Sequence, residues 1–243
     1  AASDVYKRQG PRNISTALMR SWSSRKDTYV TDEPFYAYYL KETQINHPMH
    51  EKIINHYLSD YDEIVDYLIS EVPNQKHIWY QKHMAHHIFK YSDLSWIKHV
   101  TNLFLVRDPK EVIVSYQKRF PLTSHLQLGY SQQVQIAKKV ADFTGDFPIV
   151  INAKDVLMNP KKVIMMLCDM ISIDFEEEML SWPSGKRDSD GVWAPYWYSE
   201  VEKTTAFQPY LQRNVVLNSK WKDIYDSCMA DYEFLNSSRM KVA

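Results

Sequence analysis

The feature that most constrains the fold is the apolar run LFLV at residues 103–106, which leads directly into a helix start. Four consecutive apolar residues are typical of a strand buried on both faces of a parallel sheet. Asp108 is suited to cap the next helix, Pro109 to occupy its first position, and Glu111 to complete a capping box. The sequence therefore predicts a strand followed at once by a helix.

The rest of the chain repeats this alternation of strand and helix patterns. Strands are predicted in TYVTDEP (28–34), KHIWYQK (76–82) and DFPIVINAKD (146–155), and helices in NISTALMRSWSS (13–24), YDEIVDYLISEV (61–72) and PKKVIMMLCDMI (160–171). Such alternation favours an α/β fold in which a mostly parallel sheet is flanked by helices on both faces. A length of 243 residues favours a single domain.

Composition narrows the class of protein. Hydrophobic residues make up 44% and charged residues 24%, which is ordinary for a globular domain. The formal net charge of −1 provides no basic field for a nucleic-acid polymer. Cys168 and Cys228 are too few for a disulfide framework. Because no apolar run is long enough to span a bilayer and no signal pattern is seen, we expect a cytoplasmic protein without a membrane partner. The oligomeric state stays open.

The first nine residues differ from the chain that follows. SDVYKRQ, residues 3–9, is charged and unpatterned, and it resembles the translation of a sequencing adapter. We therefore expect residues 1–9 to be non-native, with the first strand truncated or replaced, and residues 10–243 to form the domain. The alternative is a genuine but unusual N-terminal strand.

Residues 9–22, QGPRNISTALMRSW, have the character of a phosphate loop at a helix start. Helix N-termini favour anions, and Arg12, Asn13, Ser15 and Thr16 add donors. The nucleoside-triphosphate pattern G-x-x-x-x-G-K-[ST] fails, because Ser15 and Thr16 stand where its second glycine and its lysine would fall. Phosphoryl transfer from ATP is thus disfavoured. The alternative is an ordinary helix start with no ligand.

Two later segments are also suited to anions. Arg107 ends the buried strand and Ser115 lies two helical turns beyond Asp108, so that together they suit a phosphate, although an Arg107–Asp108 surface pair is the alternative. The third segment, GKRDSDGVWAPYWY, contains a basic pair, a glycine and a tryptophan, namely Lys186, Arg187, Gly191 and Trp193. It could equally be an irregular surface loop.

Together, the three segments resemble the sulfotransferases that use 3′-phosphoadenosine-5′-phosphosulfate (PAPS). PRNISTA aligns with the family loop P-K-S-G-T-T-W, Arg107 and Ser115 have the family's eight-residue spacing, and KRDSDGVW aligns with R-K-G-x-x-G-x-W. A bacterial sulfotransferase-like group is resembled more closely, in the segments GPRNISTALMRSW, DEPFYAYYL and QKHMAHHI. The resemblance implies a P-loop-NTPase-like sheet and PAPS as co-substrate, with no metal.

The resemblance also implies roles for residues of all three segments. The first loop would bind the 5′-phosphosulfate, Arg107 and Ser115 the 3′-phosphate, and the third segment would cover that phosphate. The loop departs from the family pattern at three positions. Arg12 replaces the loop lysine, Ile14 replaces the loop glycine, and Ala17 replaces the tryptophan that stacks on adenine. Trp193 or Trp22 would have to supply the stacking ring.

A catalytic base is implied at the end of the next central strand. His83 corresponds to the family histidine, with Lys82 beside it to shield the bridging oxygen and His86 as an alternative. Other branches use a glutamate, for which Glu33 is the candidate. We favour His83 over Glu33.

On a helix, the spacing of His83, His86 and His87 would gather three imidazoles, but no further ligand is evident and the HEXXH motif is absent, so no metal is expected. The segments HPMHEK (47–52) and EPFYAYYL (33–40) are expected to line an acceptor pocket.

The sequence thus predicts in-line transfer of a sulfonate from PAPS to a hydroxyl or amine of a small acceptor. Two alternatives stay open. One is a small-molecule kinase on the same fold, and the other is a non-catalytic relative that binds a nucleotide or a partner.

Overall fold

A computed structural model describes residues 3–9, by their backbone, together with residues 13–212 and 215–242. Five strands form one sheet: β1 (Ser3–Gln9), β2 (Thr28–Asp32), β3 (Ile78–Met84), β4 (Thr101–Val106) and β5 (Ile149–Asn152). Their order is β2-β3-β1-β4-β5, and every neighbouring pair is parallel. The predicted parallel sheet is confirmed.

The helices follow the strands in the predicted alternation. They are α1 (Ser15–Ser23), α2 (Tyr36–Thr43), α3 (His50–His56), α4 (Tyr61–Leu68), α5 (Pro109–Tyr116), α6 (Tyr130–Thr144), α7 (Ala153–Met158), α8 (Pro160–Met170), α9 (Ala194–Trp197) and α10 (Lys222–Ser237). None of the helices in the described parts of the chain combines the length and the apolar character needed to span a bilayer.

The two faces of the sheet pack into two separate cores. Phe104 and Val106 of β4 pack into a core with α4 and α6, while Leu103 and Leu105 pack on the other face with α1 and α8. Successive side chains of a strand point to opposite faces. The unbroken apolar run at residues 103–106 is therefore required, because both faces of β4 are buried.

The start of α5 departs from prediction in one respect. Asp108 Oδ1 accepts a hydrogen bond from Lys110 N (2.8 Å) and Pro109 occupies the first turn, so the predicted cap is confirmed. Glu111 does not complete a capping box. Its carboxylate accepts instead from Arg107 and Tyr210, because a guanidinium is the stronger partner for a carboxylate than a backbone N–H.

β1 lies at the centre of the sheet. Its backbone pairs with β3 from Ser3↔Ile78 to Gln9↔Met84 and with β4 from Val5↔Thr101 to Gln9↔Leu105. The segment thus occupies the place of the first strand, directly before the predicted phosphate loop. The backbone pairing does not bear on the origin of this sequence, so the non-native character of residues 1–9 stays a prediction.

Candidate active-site cleft

A cleft of about 850 Å³ opens at the carboxyl ends of the strands. Its walls include the start of α1 after β1, Glu33 after β2, Lys82 and Met84 at the end of β3, and Arg107 after β4. Ligands of open α/β sheets bind at this edge. The fold thus brings three of the predicted elements, the helix start, Arg107 and the β3 end, to one cavity.

The N-terminus of α1 faces the cleft, and the N-cap residue Ile14 makes no side-chain capping bond within the described residues. The first intrahelical bond joins Leu18 N to Ile14 O (3.0 Å), so the N–H groups of Ser15, Thr16 and Ala17 have no intrahelical acceptor. The first turn carries no acidic residue. The cleft is lined by Ile14, Ser15, Thr16 and Ala17. The helix start therefore presents a cluster of backbone donors and a positive dipole end to the cleft.

Asn13 fixes the loop that precedes this helix. Its Nδ2 donates to Leu105 O (3.1 Å) at the end of β4, and its Oδ1 accepts from Ile14 N (3.1 Å). Asn13 therefore braces the loop against the sheet as well as lining the cleft. Arg12, predicted to neutralise the departing phosphate, lies outside the described residues.

Arg107 and Ser115 line the same cleft, as their spacing predicts. Glu111 Oε2 accepts from Arg107 Nε (2.8 Å) and Nη2 (2.7 Å), and Glu111 Oε1 accepts from the Tyr210 hydroxyl (2.8 Å). The alternative pair with Asp108 is replaced by this Arg107–Glu111 pair. The side chain of Arg107 is 27% exposed, so the guanidinium stays accessible from the cleft.

The basic pair of the segment GKRDSDGVWAPYWY does not line the cleft, although Trp197 and Tyr198 at the end of that segment do. Lys186 is exposed, and Arg187 Nη2 donates to Pro183 O (2.6 Å) within its own loop. Asp190 forms a bidentate ion pair with the buried Arg20, both bonds being 2.6 Å long, and Gly191 N donates to Asp32 Oδ2 (3.1 Å). The loop is thus anchored inward by its acidic and glycine residues.

The two tryptophans considered for adenine stacking are core residues. Trp193 is 1% exposed and donates from Nε1 to the Tyr198 hydroxyl (3.2 Å). Trp22 is fully buried and stacks on Tyr80, with ring centroids 5.2 Å apart. Neither ring presents a free face to a nucleotide. Ala17, at the expected stacking position, does line the cleft.

Gly191→Ala tests how the segment is anchored. An added Cβ would lie 2.2 Å from two ring atoms of Trp193, so the ring or the backbone must shift. We expect the free energy of unfolding to fall by about 1–3 kcal/mol, as for other overpacked sites. Urea unfolding measures this. Ser184→Ala, at an exposed position of the same loop, is the control, and an equal effect of the two variants would contradict the packing argument.

A buried charge network lies beneath the cleft, at the ends of β2 and β3. Lys82 Nζ donates to Asp32 Oδ1 (2.8 Å), Glu33 Oε1 (2.6 Å) and the Tyr198 hydroxyl (2.5 Å). The Tyr198 hydroxyl donates to Asp32 Oδ2 (2.7 Å). Burial would lower the pKa of Lys82, but the charges of Asp32 and Glu33 outweigh it and raise that pKa.

All three ammonium hydrogens of Lys82 are directed at these partners. In this arrangement Lys82 orients the carboxylates, and it has no further hydrogen to give to a bridging oxygen. The sequence patterns did not identify Asp32 and Tyr198 as members of the site. The signal for Asp32 was available, because a lysine inside a buried strand requires a carboxylate partner on a neighbouring strand.

His83 faces away from the cleft. Because side chains alternate along a strand, Lys82 and Met84 face the cleft, whereas His83 lies on the other face of β3. There its Nε2 contacts Gln81 Oε1 (3.1 Å), and its ring packs near Phe35 with centroids 5.6 Å apart. The structure therefore does not bring His83 together with the residues of the cleft.

Glu33 lies in the cleft wall with an unusual backbone. Its φ of 44° is in the left-handed region, which costs a non-glycine residue about 1–3 kcal/mol. Glu33 N donates to Lys82 O (2.8 Å), and Tyr36 N donates to Glu33 O (2.9 Å), so the strained turn is held at both ends. Strain of this kind is typical of functional positions.

The two carboxylate oxygens of Glu33 have different surroundings. Oε1 accepts from Lys82, whereas Oε2 has no hydrogen-bond partner within the described residues. Burial raises the pKa of Glu33, and the charge of Asp32 adds to this effect against the opposing charge of Lys82. An oriented carboxylate with one open oxygen and a raised pKa is suited to accept a proton.

Three imidazoles form the wall beyond Glu33: His47, His86 and His87. Burial lowers the pKa of His47 to about 4 and that of His86 to about 3, and it lowers the pKa of His87 well below its usual value. All three are therefore neutral at pH 7. Among the described residues, no group of three or more His, Cys, Asp or Glu side chains is arranged to hold a metal ion.

Comparison with known proteins gives a consistent result. A family model described as a sulfotransferase domain matches residues 4–238. Branched-chain-amino-acid aminotransferase-like protein 2 of Arabidopsis thaliana is 29% identical over 234 residues, which are 95% of this chain and 41% of that protein. The corresponding protein 1 is 32% identical over 203 residues, or 84% and 36% of the two lengths. The chain spans about two fifths of these curated relatives.

Solved structures support the fold. The sulfotransferase domain from the curacin biosynthetic pathway aligns with a TM-score of 0.55 at 14% identity, covering 93% of this chain and 97% of that chain. Mouse sulfotransferase SULT7A1, complexed with PAP (3′-phosphoadenosine 5′-phosphate), aligns with a TM-score of 0.52 at 11% identity, covering 96% and 85%. The predicted fold class is confirmed.

Proposed function

The chain belongs to the sulfotransferase domain family, and we propose that it transfers a sulfonate from PAPS to a small acceptor held in the cleft. The observation that carries the proposal is the convergence of three elements on one cavity: the start of α1, the pair Arg107 and Ser115, and the open oxygen of Glu33. The first two elements would bind the phosphate groups of the donor, and the third would take up the proton that the acceptor loses.

The donor fits the end of the cleft between α1 and α5. The N–H groups at the start of α1 and the hydroxyls of Ser15 and Thr16 would bind the 5′-phosphosulfate, joined by Arg12. Arg107 and Ser115 would bind the 3′-phosphate. Tyr210, tethered to Glu111, supplies an aromatic ring at this end in place of the buried Trp193 and Trp22.

The acceptor is activated by Glu33 in this proposal. As the acceptor oxygen or nitrogen bonds to sulfur, the bond from sulfur to the bridging phosphate oxygen breaks and PAP leaves with that electron pair. The proton of the acceptor passes to Glu33 Oε2. Lys82 is a positioning residue, since it holds Oε1 and the neighbouring Asp32. His83, on the opposite face of β3, is not required.

The binding half of the proposal is tested by Arg107→Ala. Loss of a charge-assisted contact to a phosphate costs about 1.5–3 kcal/mol, so we expect PAP to bind roughly 10- to 100-fold more weakly. Isothermal titration calorimetry measures the affinity. Lys186→Ala is the matched control, because Lys186 lies outside the cleft wall and should leave the affinity unchanged. A loss in Lys186→Ala without a loss in Arg107→Ala would contradict the assigned phosphate site.

The pH profile tests the base. Glu33 must be ionised to accept a proton, and its pKa is raised above the ordinary 4.5. We therefore expect turnover to fall on the acid side at a pH above 4.5, as Glu33 becomes protonated. The cleft histidines stay neutral down to about pH 4, so they do not cause this fall in turnover. Initial rates of PAP release between pH 4 and 9 measure it, and an acid limb that persists in Glu33→Gln would assign it elsewhere.

A further inference from the structure

The wall beyond Glu33 has an unusual hydrogen-bonding character. We call it the histidine pocket and define it by His47, His86, His87 and Tyr36, which all line the cleft. Packing fixes the rings: His87 stacks on Tyr36 with centroids 4.9 Å apart and an interplanar angle of 4°, and His86 lies 4.6 Å from His87. The pocket is thus preformed.

The position of the proton in each ring follows from the partners. Burial, with the charge of Glu33, raises the pKa of Tyr36, so its hydroxyl keeps its proton and forms a hydrogen bond with His47 Nδ1 (2.8 Å). In His86 and His87, Nδ1 is buried and has no hydrogen-bond partner in the described structure. A neutral imidazole bears one proton, and a buried N–H without an acceptor is costly. The rings of His86 and His87 are therefore expected to carry their protons on Nε2.

Nε2 is the nitrogen of His86 and His87 that a ligand in the cleft can meet, because Nδ1 is closed off from solvent. His87 is 2% exposed, so a ligand that cannot accept from it leaves a buried donor unsatisfied. The histidine pocket thus offers N–H donors of neutral rings. Lys82, the nearby buried cation, is already paired with Asp32 and Glu33.

These features select among classes of acceptor. An apolar alcohol would leave the imidazole donors unpaired. An anionic acceptor would face the carboxylate of Glu33 and no unpaired cation in the histidine pocket. A neutral molecule with several oxygens satisfies the donors without either cost.

Resting on the proposed function, we propose that the histidine pocket binds the acceptor, and that the acceptor is an uncharged, oxygen-rich compound such as a polyol. One oxygen of the acceptor faces Glu33 Oε2, and others accept hydrogen bonds from the imidazoles. The pocket is a specificity site, distinct from the donor contacts at α1 and Arg107.

Three compounds built on one six-membered ring test this class: inositol, cyclohexanol and 4-hydroxycyclohexanecarboxylate. Calorimetry with the full chain, with and without saturating PAP, measures their affinities. We expect inositol to bind at least about tenfold more tightly than the other two, since sites built for hydrogen bonds reject analogues that lack them. Equal or tighter binding of cyclohexanol or the carboxylate, or no binding of inositol, overturns the inference.

His87→Phe is the matched variant, because it keeps a ring to stack on Tyr36 while removing the donor. We expect it to weaken inositol binding about tenfold and to leave cyclohexanol and PAP affinities unchanged. His86→Phe repeats the test if His87→Phe fails to fold. Because the pocket is preformed, the ranking is also expected without PAP. Failure of PAP to bind would therefore contradict the proposed function, whereas a wrong ranking contradicts this inference.

Discussion

Replacing Lys82 with methionine is expected to lower the free energy of unfolding by about 3–5 kcal/mol, the usual cost of removing one partner from a buried ion pair. Lys82 and Asp32 are 1% and 2% exposed in their side chains, and Glu33 is 12% exposed. Methionine fills a similar volume but leaves both carboxylates without their cation. The loss therefore comes from buried charge and not from a cavity.

Urea unfolding of Lys82→Met and of two comparison variants measures this effect. Lys118→Met, at an exposed rim position of the same cleft, should change stability by at most about 0.5 kcal/mol. The double variant Lys82→Met with Asp32→Asn should recover part of the loss, because one uncompensated charge is removed. A loss below about 1 kcal/mol in Lys82→Met would show that the network does not stabilise the sheet edge as described.

Glu33→Gln is expected to lower turnover by roughly 10²- to 10⁴-fold while leaving the PAP affinity unchanged, as for loss of a general base. Glutamine keeps the shape of the side chain and an oxygen to accept from Lys82, so the site stays assembled. PAP release from PAPS, with any acceptor that the unmodified protein sulfonates, gives the rate. Calorimetry with PAP gives the affinity.

His83→Phe is the comparison, because the phenyl ring replaces an imidazole that packs near Phe35 and Trp96. It is expected to retain turnover within a few-fold and to lower stability, since Gln81 Oε1 loses its contact with the imidazole. The opposite pattern, with turnover lost in His83→Phe and kept in Glu33→Gln, would restore the base favoured by the sequence and contradict the assignment to Glu33.

Local patterns predicted the elements of the fold well. The apolar run at 103–106 and the cap at Asp108 are decided by neighbours in sequence, so the boundary between β4 and α5 could be predicted. The eight-residue spacing of Arg107 and Ser115 likewise fixes their common position on one cleft wall. Both follow from the geometry of a strand that leads directly into a helix.

Long-range contacts decided what the sequence could not. Strand alternation puts Lys82 and His83 on opposite faces, but only the packing of the whole sheet determines which face borders the cleft. The Arg20–Asp190 pair joins residues far apart in sequence and draws the basic segment inward. Lys186 and Arg187 therefore match a family spacing without reaching the cleft wall.

The central claim is that the cleft recognises a nucleotide with a phosphate on the 3′ position of its ribose. The most direct measurement compares the calorimetric affinity for PAP with that for adenosine 5′-phosphate, which lacks only that phosphate, and for ATP with magnesium. Because Arg107 and Ser115 would bind the additional phosphate, PAP is predicted to bind at least about tenfold more tightly than either. Equal affinity for PAP and adenosine 5′-phosphate, or tighter binding of ATP with magnesium than of PAP, would contradict the claim.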